Sequence, residues 1–183
     1  DYAPNIKKFV DQKCNVIIGV GFAISGAIVA SAKANPSIKY AVVDDAALDC
    51  NADYSVCNPV KNVKGLTFRT QESSFLAGYS AAAFSTKGVV ATYGGAPYPT
   101  VTAFMDGFAQ GVYYYNQVKN KGVRVLGWNR DTNNGEFVGN FSDTSKALQI
   151  SKNFEQAGAD VIFPVAGGLG GATAQNSIDA KKS

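Results

Sequence analysis

Histidine is absent from this 183-residue chain, and charge and sulfur are sparse: 17% charged residues, one methionine and three cysteines. Without histidine there is no imidazole acid–base catalysis, no Ser-His-Asp triad and no histidine metal site. No Gly-x-Ser-x-Gly elbow, P-loop Lys-Ser/Thr or metal-spaced acid cluster is present, so the motifs point to no enzyme and imply no metal and no cofactor. Long apolar runs are missing too. The longest are strand-sized or short-helix-sized, well short of the roughly 18 residues of a membrane span. No signal-peptide or lipobox pattern is read here, and the chain is expected to be a processed or trimmed piece. The net charge of +3 is small and its residues are scattered, which gives no nucleic-acid footprint.

What is present supports a packed core: 46% apolar residues and 19 glycines. The length suits one ordinary domain or two small lobes. Cys50 and Cys57 bracket a polar segment and are expected to form a loop disulfide, which implies an oxidising compartment; two free thiols are the alternative. Cys14 precedes an apolar strand and reads as a buried small hydrophobe.

Strand and helix signals alternate along the chain. Tyr2, Ile6, Phe9 and Val10 have helical spacing, and Val16-Ile17-Ile18-Gly19-Val20 is an all-apolar run, as in a buried parallel strand. A small-residue helix spans 23–34, a strand 38–43, a long polar loop 45–64 and a strand 66–69. Thr70 is a candidate N-cap, with Phe75, Leu76, Tyr79 and Ala83 as the buried face of the helix that follows. Strands at 89–93, 123–126 and 161–163 alternate with helices near 100–118 and from 142 or 143 to 156, with a polar loop at 130–136. A last helix opens at Gly167-Gly168-Leu169-Gly170-Gly171. The alternation predicts parallel sheets with crossover helices, each sheet covered on both faces. A polar joint near 85–88 divides the chain into lobes 1–86 and 87–183.

Several residues could carry binding. Gly19-Val20-Gly21-Phe22 with Gly26 approximates a dinucleotide loop but departs from its spacing, and a tight turn is the plainer reading. Open α/β sheets bind ligands beyond the carboxyl ends of their strands. Asp44 stands there, and its carboxylate could accept two hydrogen bonds from a vicinal diol such as a ribose, with Asp45 as a competitor. The glycines at 167–171 suggest close approach of a ligand to backbone N–H groups. Phe22, Tyr93, Tyr98, Trp128 and Phe141 fall near strand ends, where flat rings could sandwich a flat ligand. Asp106 is a carboxylate among aromatics, facing a cleft or solvent.

The runs Val16-Ile17-Ile18-Gly19-Val20-Gly21-Phe22, Tyr40-Ala41-Val42-Val43-Asp44 and Glu72-Ser73-Ser74-Phe75-Leu76-Ala77-Gly78 resemble the basic membrane protein family. So do Phe141-Ser142-Asp143 and Gly158-Ala159-Asp160-Val161-Ile162-Phe163-Pro164-Val165-Ala166-Gly167-Gly168. These are substrate-binding lipoproteins of ABC importers, whose best-understood members bind purine nucleosides. The resemblance implies a type I periplasmic-binding-protein fold, with two Rossmann-like lobes and ligand in the cleft between them. It assigns Asp44 to ribose hydroxyls, Phe141 to stacking on the base, and Gly167 and Gly168 to the pocket lining. Asp106 has no secure counterpart; Phe22, Trp128 and Asp106 complete the candidate set. The family's opening strand with its D-x-S-F-N-like loop, and its later strand with a further Asp and then a Lys, are not in these residues, so both lobes are expected to be incomplete.

The resemblance further implies an extracytoplasmic location, an ABC permease as partner and a lipid anchor outside this sequence, with no nucleic-acid partner. The alternatives are a binding protein for another small ligand, such as a sugar or signalling molecule, and a nucleotide-dependent oxidoreductase using the Gly19–Gly21 loop.

Overall fold

A computed structural model describes residues 2–52 and 54–180. The chain divides into two compact units, Asp1–Phe68 and Arg69–Ser183.

The first unit contains helix α1 (Ala3–Asp11), strand β1 (Val16–Val20), helix α2 (Ser25–Ala34) and strand β2 (Lys39–Val43), then the two-residue strands β3 (Asp49–Cys50) and β4 (Cys57–Asn58) and strand β5 (Val63–Leu66). Strands β1, β2 and β5 make a parallel sheet in the order β1-β2-β5. Ile6 of α1 and Ile28, Val29 and Ala32 of α2 pack with Ile17, Tyr40 and Val42. Side chains alternate along a strand, so these sheet residues share one face. On the other face of β1, Val16, Ile18 and Val20 are 57%, 62% and 78% exposed. The apolar run predicts cover on both faces; the structure covers one, because both helices of this unit contribute to the same core.

The segment expected as a long loop holds the β3–β4 hairpin, in which Cys50 pairs with Cys57 and the two sulfurs are bonded. Strand β5 starts earlier than its expected position at 66–69. Asn62 sets that start: its amide donates to the carbonyls of Ala32, Asn35 and Ile38 at 3.0, 3.2 and 2.9 Å. Cys14 is half-buried against the core rather than enclosed in it.

The second unit contains α3 (Thr70–Phe84), β6 (Val89–Gly94), α4 (Pro99–Lys119), β7 (Arg124–Leu126), β8 (Trp128–Asn129), β9 (Asn134–Gly135), α5 (Thr144–Gln156), β10 (Val161–Val165) and α6 (Gly170–Ala180). Its main sheet is parallel in the order β10-β6-β7. Every residue of the central strand β6 is buried. Val89, Ala91 and Tyr93 pack with Ala147, Ile150 and Phe154 of α5, while Val90, on the opposite face, packs with Ala81 and Ala82 of α3 and Phe108 and Val112 of α4. This sheet is therefore covered on both sides, as most parallel sheets are. Helix α5 begins where Asp143 accepts the backbone N–H of Lys146 at 2.9 Å. At the start of α3 the cap position is Arg69, not Thr70, and no side chain caps it. The 130–136 segment, expected as a loop, is closed by the β8–β9 hairpin.

The compact units meet at Phe68/Arg69, so the polar joint at 85–88 lies inside the second of them, where α3 packs on α4 at backbone distance. A Cβ on Gly111 would stand 1.9 Å from the Phe75 carbonyl oxygen, and one on Gly78 1.9 Å from that of Phe108. The buried face of α3 is Ser74, Gly78, Ala81 and Ala82, whereas Leu76, expected inside, is exposed. Among the described residues no helix is long and apolar enough to cross a membrane.

Candidate functional site

In the first unit, β1 and β2 run parallel with Val20 opposite Val43, so Gly21-Phe22 and Asp44 leave the same edge of the sheet. Gly21 has φ +96°, a conformation that favours glycine. Gly19 serves packing: a Cβ there would lie 2.9 Å from Ile24 and 3.0 Å from Ile28. Its space is filled by α2 side chains and their neighbours, which supports the tight-turn reading over a pyrophosphate loop.

Asp44 sits at φ +71°. Left-handed backbone is costly for an L-residue, and Asp is among the few that tolerate it. Its N–H donates to the Leu66 carbonyl at 2.9 Å, which ties the turn to β5. Its half-buried carboxylate receives no hydrogen bond among the described residues. The neighbouring acid differs. One oxygen of the Asp45 carboxylate, Oδ1, accepts both the Ser25 hydroxyl at 2.6 Å and the Ala47 N–H at 2.7 Å, and so serves the local turn.

In the second unit, Phe141 stands near the carboxyl ends of β6 and β10. The strand ends arrange its backbone. Gly94 N–H donates to Glu136 O at 2.9 Å, Val138 N–H to Gly94 O at 3.0 Å, and Gly139 N–H to Gly95 O at 2.7 Å. The Asn140 side-chain oxygen then accepts the N–H groups of Ser142 and Asp143 at 2.9 and 2.7 Å, closing an Asx turn around Phe141. The half-buried ring packs on the cluster of Val101, Met105, Ala109 and Trp128. It lies near parallel to Tyr98, with centroids 6.2 Å apart and planes 12° from each other. Gly167, at φ +57°, follows β10, and a Cβ there would lie 3.8 Å from Phe141. Around Gly168 the space is open. Phe141 and Gly167 are thus brought together.

Asp106 and Trp128 are also brought together, by a bond to each other. The Asp106 carboxylate accepts from Arg130 Nε at 2.7 Å, Gln110 Nε2 at 2.6 Å and Trp128 Nε1 at 3.2 Å. Burial raises its pKa, but the hydrogen bonds from Arg130, Gln110 and Trp128 outweigh that and hold it below the usual value. Trp128, read above as a candidate ring for a ligand, is 5% exposed and lies in the core. Tyr93 is fully buried, its hydroxyl bonded to Thr173 at 2.7 Å.

The family described as "ABC transporter substrate-binding protein PnrA-like" matches residues 1–182. This chain belongs to that family. It is 29% identical over 166 residues to basic membrane protein D of Borreliella burgdorferi, covering 91% of this chain and 43% of that protein. It is 30% identical over 170 residues to the ABC transporter nucleoside-binding protein BmpA of Lactococcus lactis, covering 93% and 42%. The chain therefore spans less than half the length of these relatives. The solved structure of an ABC transporter solute-binding protein from Aeropyrum pernix K1 superposes with a TM-score of 0.73 at 22% identity, covering 99% of this chain and 46% of that one. That likeness, with the parallel sheets described above, establishes the type I periplasmic-binding-protein fold.

In this PnrA-like chain, sequence reasoning placed Asp44, Phe141 and Gly167 at strand ends but missed Gly95. A Cβ on Gly95 would meet the Phe141 ring at 2.3 Å. The signal available in the sequence is the Gly94-Gly95 pair directly after an apolar strand.

Proposed function

We propose that this chain belongs to the extracytoplasmic solute-binding component of an ABC importer and contributes contacts to a purine nucleoside. The observation that carries the reading is Asp44. It is a carboxylate at the end of a central parallel strand, in a backbone conformation that costs energy, and it accepts no hydrogen bond among the described residues, while Oδ1 of its neighbour Asp45 is committed to the local turn. Strained backbone persists where surrounding structure imposes it, and such positions cluster at ligand sites. An ionised carboxylate suits a vicinal diol. Phe141 supplies a ring for the base, Gly167 and Gly168 allow close approach, and Phe22 is a further aromatic contact. The name of the Lactococcus relative, a nucleoside-binding protein, agrees with this choice. Asp106 and Trp128 are left out of the proposed set because their polar atoms are spent on each other and on Arg130 and Gln110.

The partners in this reading are the nucleoside and an ABC permease, with membrane attachment through a lipid anchor. No catalysis, cofactor or nucleic acid enters it. The Cys50–Cys57 disulfide fits an oxidising compartment.

The test is calorimetry on the full natural protein with adenosine, guanosine, inosine and ribose. A charge-assisted hydrogen bond is worth about 1.5–3 kcal/mol, so losing the pair made by one carboxylate takes Asp44→Ala well beyond a tenfold loss of nucleoside affinity. Unchanged affinity in that variant removes Asp44 from the site. Ribose binding as tightly as the nucleosides turns the reading to a sugar-binding protein.

A further inference from the structure

We infer that Tyr98 and Gly95 are positioning residues that set the orientation of the Phe141 ring. The inference rests on the reading of Phe141 as a ligand contact and extends the site to a turn that the motifs do not assign.

Phe141 sits in a polar segment, Gly139-Asn140-Phe141-Ser142-Asp143, and its ring is half-buried. A phenylalanine so placed has more than one staggered side-chain position open to it unless neighbours close them. The β6–α4 turn supplies those neighbours. Gly95 leaves room for the ring edge: a Cβ there would fall 2.3, 2.5 and 2.7 Å from the ring atoms Cε1, Cδ1 and Cζ. Any side chain at position 95 therefore moves the ring. Tyr98 lies near parallel to Phe141 within the range of an offset stack, 6.2 Å between centroids.

Tyr98 is itself well anchored. Its N–H donates to Ala96 O at 2.8 Å, and its carbonyl accepts the N–H groups of Val101 and Thr102 at 2.8 and 2.9 Å as the cap residue of the 21-residue helix α4. The turn is fixed at its other end by the Gly95 N–H bond to Val165 O at 3.0 Å and by the Gly139 bond to Gly95 O. Strand, turn and helix thus hold both the ring and its backbone. A ring held in its binding orientation before the ligand arrives spares the complex the entropy of ordering it, and this raises affinity.

The experiment has two readouts on the full natural protein. The first needs no ligand: aromatic NMR of phenylalanine-labelled protein, with the Phe141 resonances assigned by their loss in Phe141→Leu. Tyr98→Ala should shift them and Tyr98→Phe should leave them near the parent positions. Unmoved resonances in Tyr98→Ala overturn the inference. The second is nucleoside affinity by calorimetry. Tyr98→Ala should weaken binding about threefold to tenfold, the worth of one aromatic pair, with Tyr98→Phe restoring it. Gly95→Ala should weaken it by about tenfold or more, since the ring must move. If Phe141→Ala loses affinity while Tyr98→Ala keeps it, the positioning role fails and the ligand reading stands. If Tyr98→Phe loses as much as Tyr98→Ala, the hydroxyl acts directly and the positioning role again fails. If Phe141→Ala itself keeps full affinity, the ligand reading fails and takes this inference with it.

Discussion

Asp160 carries four donors on one carboxylate: the Ser85 hydroxyl at 2.5 Å, the Thr86 N–H and hydroxyl at 2.7 and 2.9 Å, and the Lys87 N–H at 2.9 Å. It thereby fixes the turn between α3 and β6 to the turn before β10. Burial raises its pKa, but the bonds from Ser85, Lys87 and Thr86 outweigh burial and hold it below the usual carboxylate value. A carboxyl depressed in the folded state stabilises fully above its unfolded value and loses that contribution as pH falls through the folded one. Asp160→Asn should therefore cost about 1 kcal/mol at pH 7, a small figure because the group is exposed. In urea unfolding, the gap between parent and variant should close as the pH is lowered from 6 to below 3. A gap that persists at low pH would show that the charge is not what holds the turn. The Asp160 motif is readable in the sequence, but its job is not, because its partners lie more than 70 positions away.

Elements recorded in the sequence by size of side chain and elements recorded by lack of it were not equally legible. Strands β1, β2, β6 and β10 announce themselves as apolar runs, and helices α4 and α5 as periodic ones. Phe141 stands out as a lone ring in a polar segment just before a capped helix. The face of α3 does not, since the large residues that draw the eye, Phe75, Leu76 and Tyr79, flank the contact while Ser74, Gly78, Ala81 and Ala82 make it. Two helices meet at backbone distance only where Cβ atoms are missing. The trace left in the sequence is spacing by four, Ser74 with Gly78 and Gly107 with Gly111, which puts each pair on one helix face. The two-residue strands of the β3–β4 and β8–β9 hairpins are too short to show any period. Gly111→Ala or Gly78→Ala should cost about 2–4 kcal/mol, above a typical surface change, because the new Cβ meets a carbonyl at 1.9 Å. Gly171→Ala, in the first turn of α6 with open space around its Cβ, should be neutral or slightly stabilising in the same urea measurement. Equal effects at all three positions would mean that helix propensity and not close approach governs α3 and α4.

At the scale of the whole molecule the question is which residues fold together. A boundary at 86/87 would leave α3 with the first unit, whereas the packing assigns it to the second. The consequence is physical. Ala81 and Ala82 of α3 complete the core that includes Val90, Phe108, Val112 and Val123. Removing α3 would uncover that face of β6 and the Gly107–Gly111 stripe of α4, and parallel sheets exposed on a face are rare because their strands are apolar on both sides. A chain of residues 69–183 should therefore unfold cooperatively in urea with native-like near-ultraviolet dichroism. A chain of residues 87–183 should lack a cooperative transition and bind a hydrophobic dye. Cooperative unfolding of the shorter chain would return α3 to the first unit and place the joint in the Ser85-Thr86-Lys87-Gly88 turn, where the polar composition first suggested it.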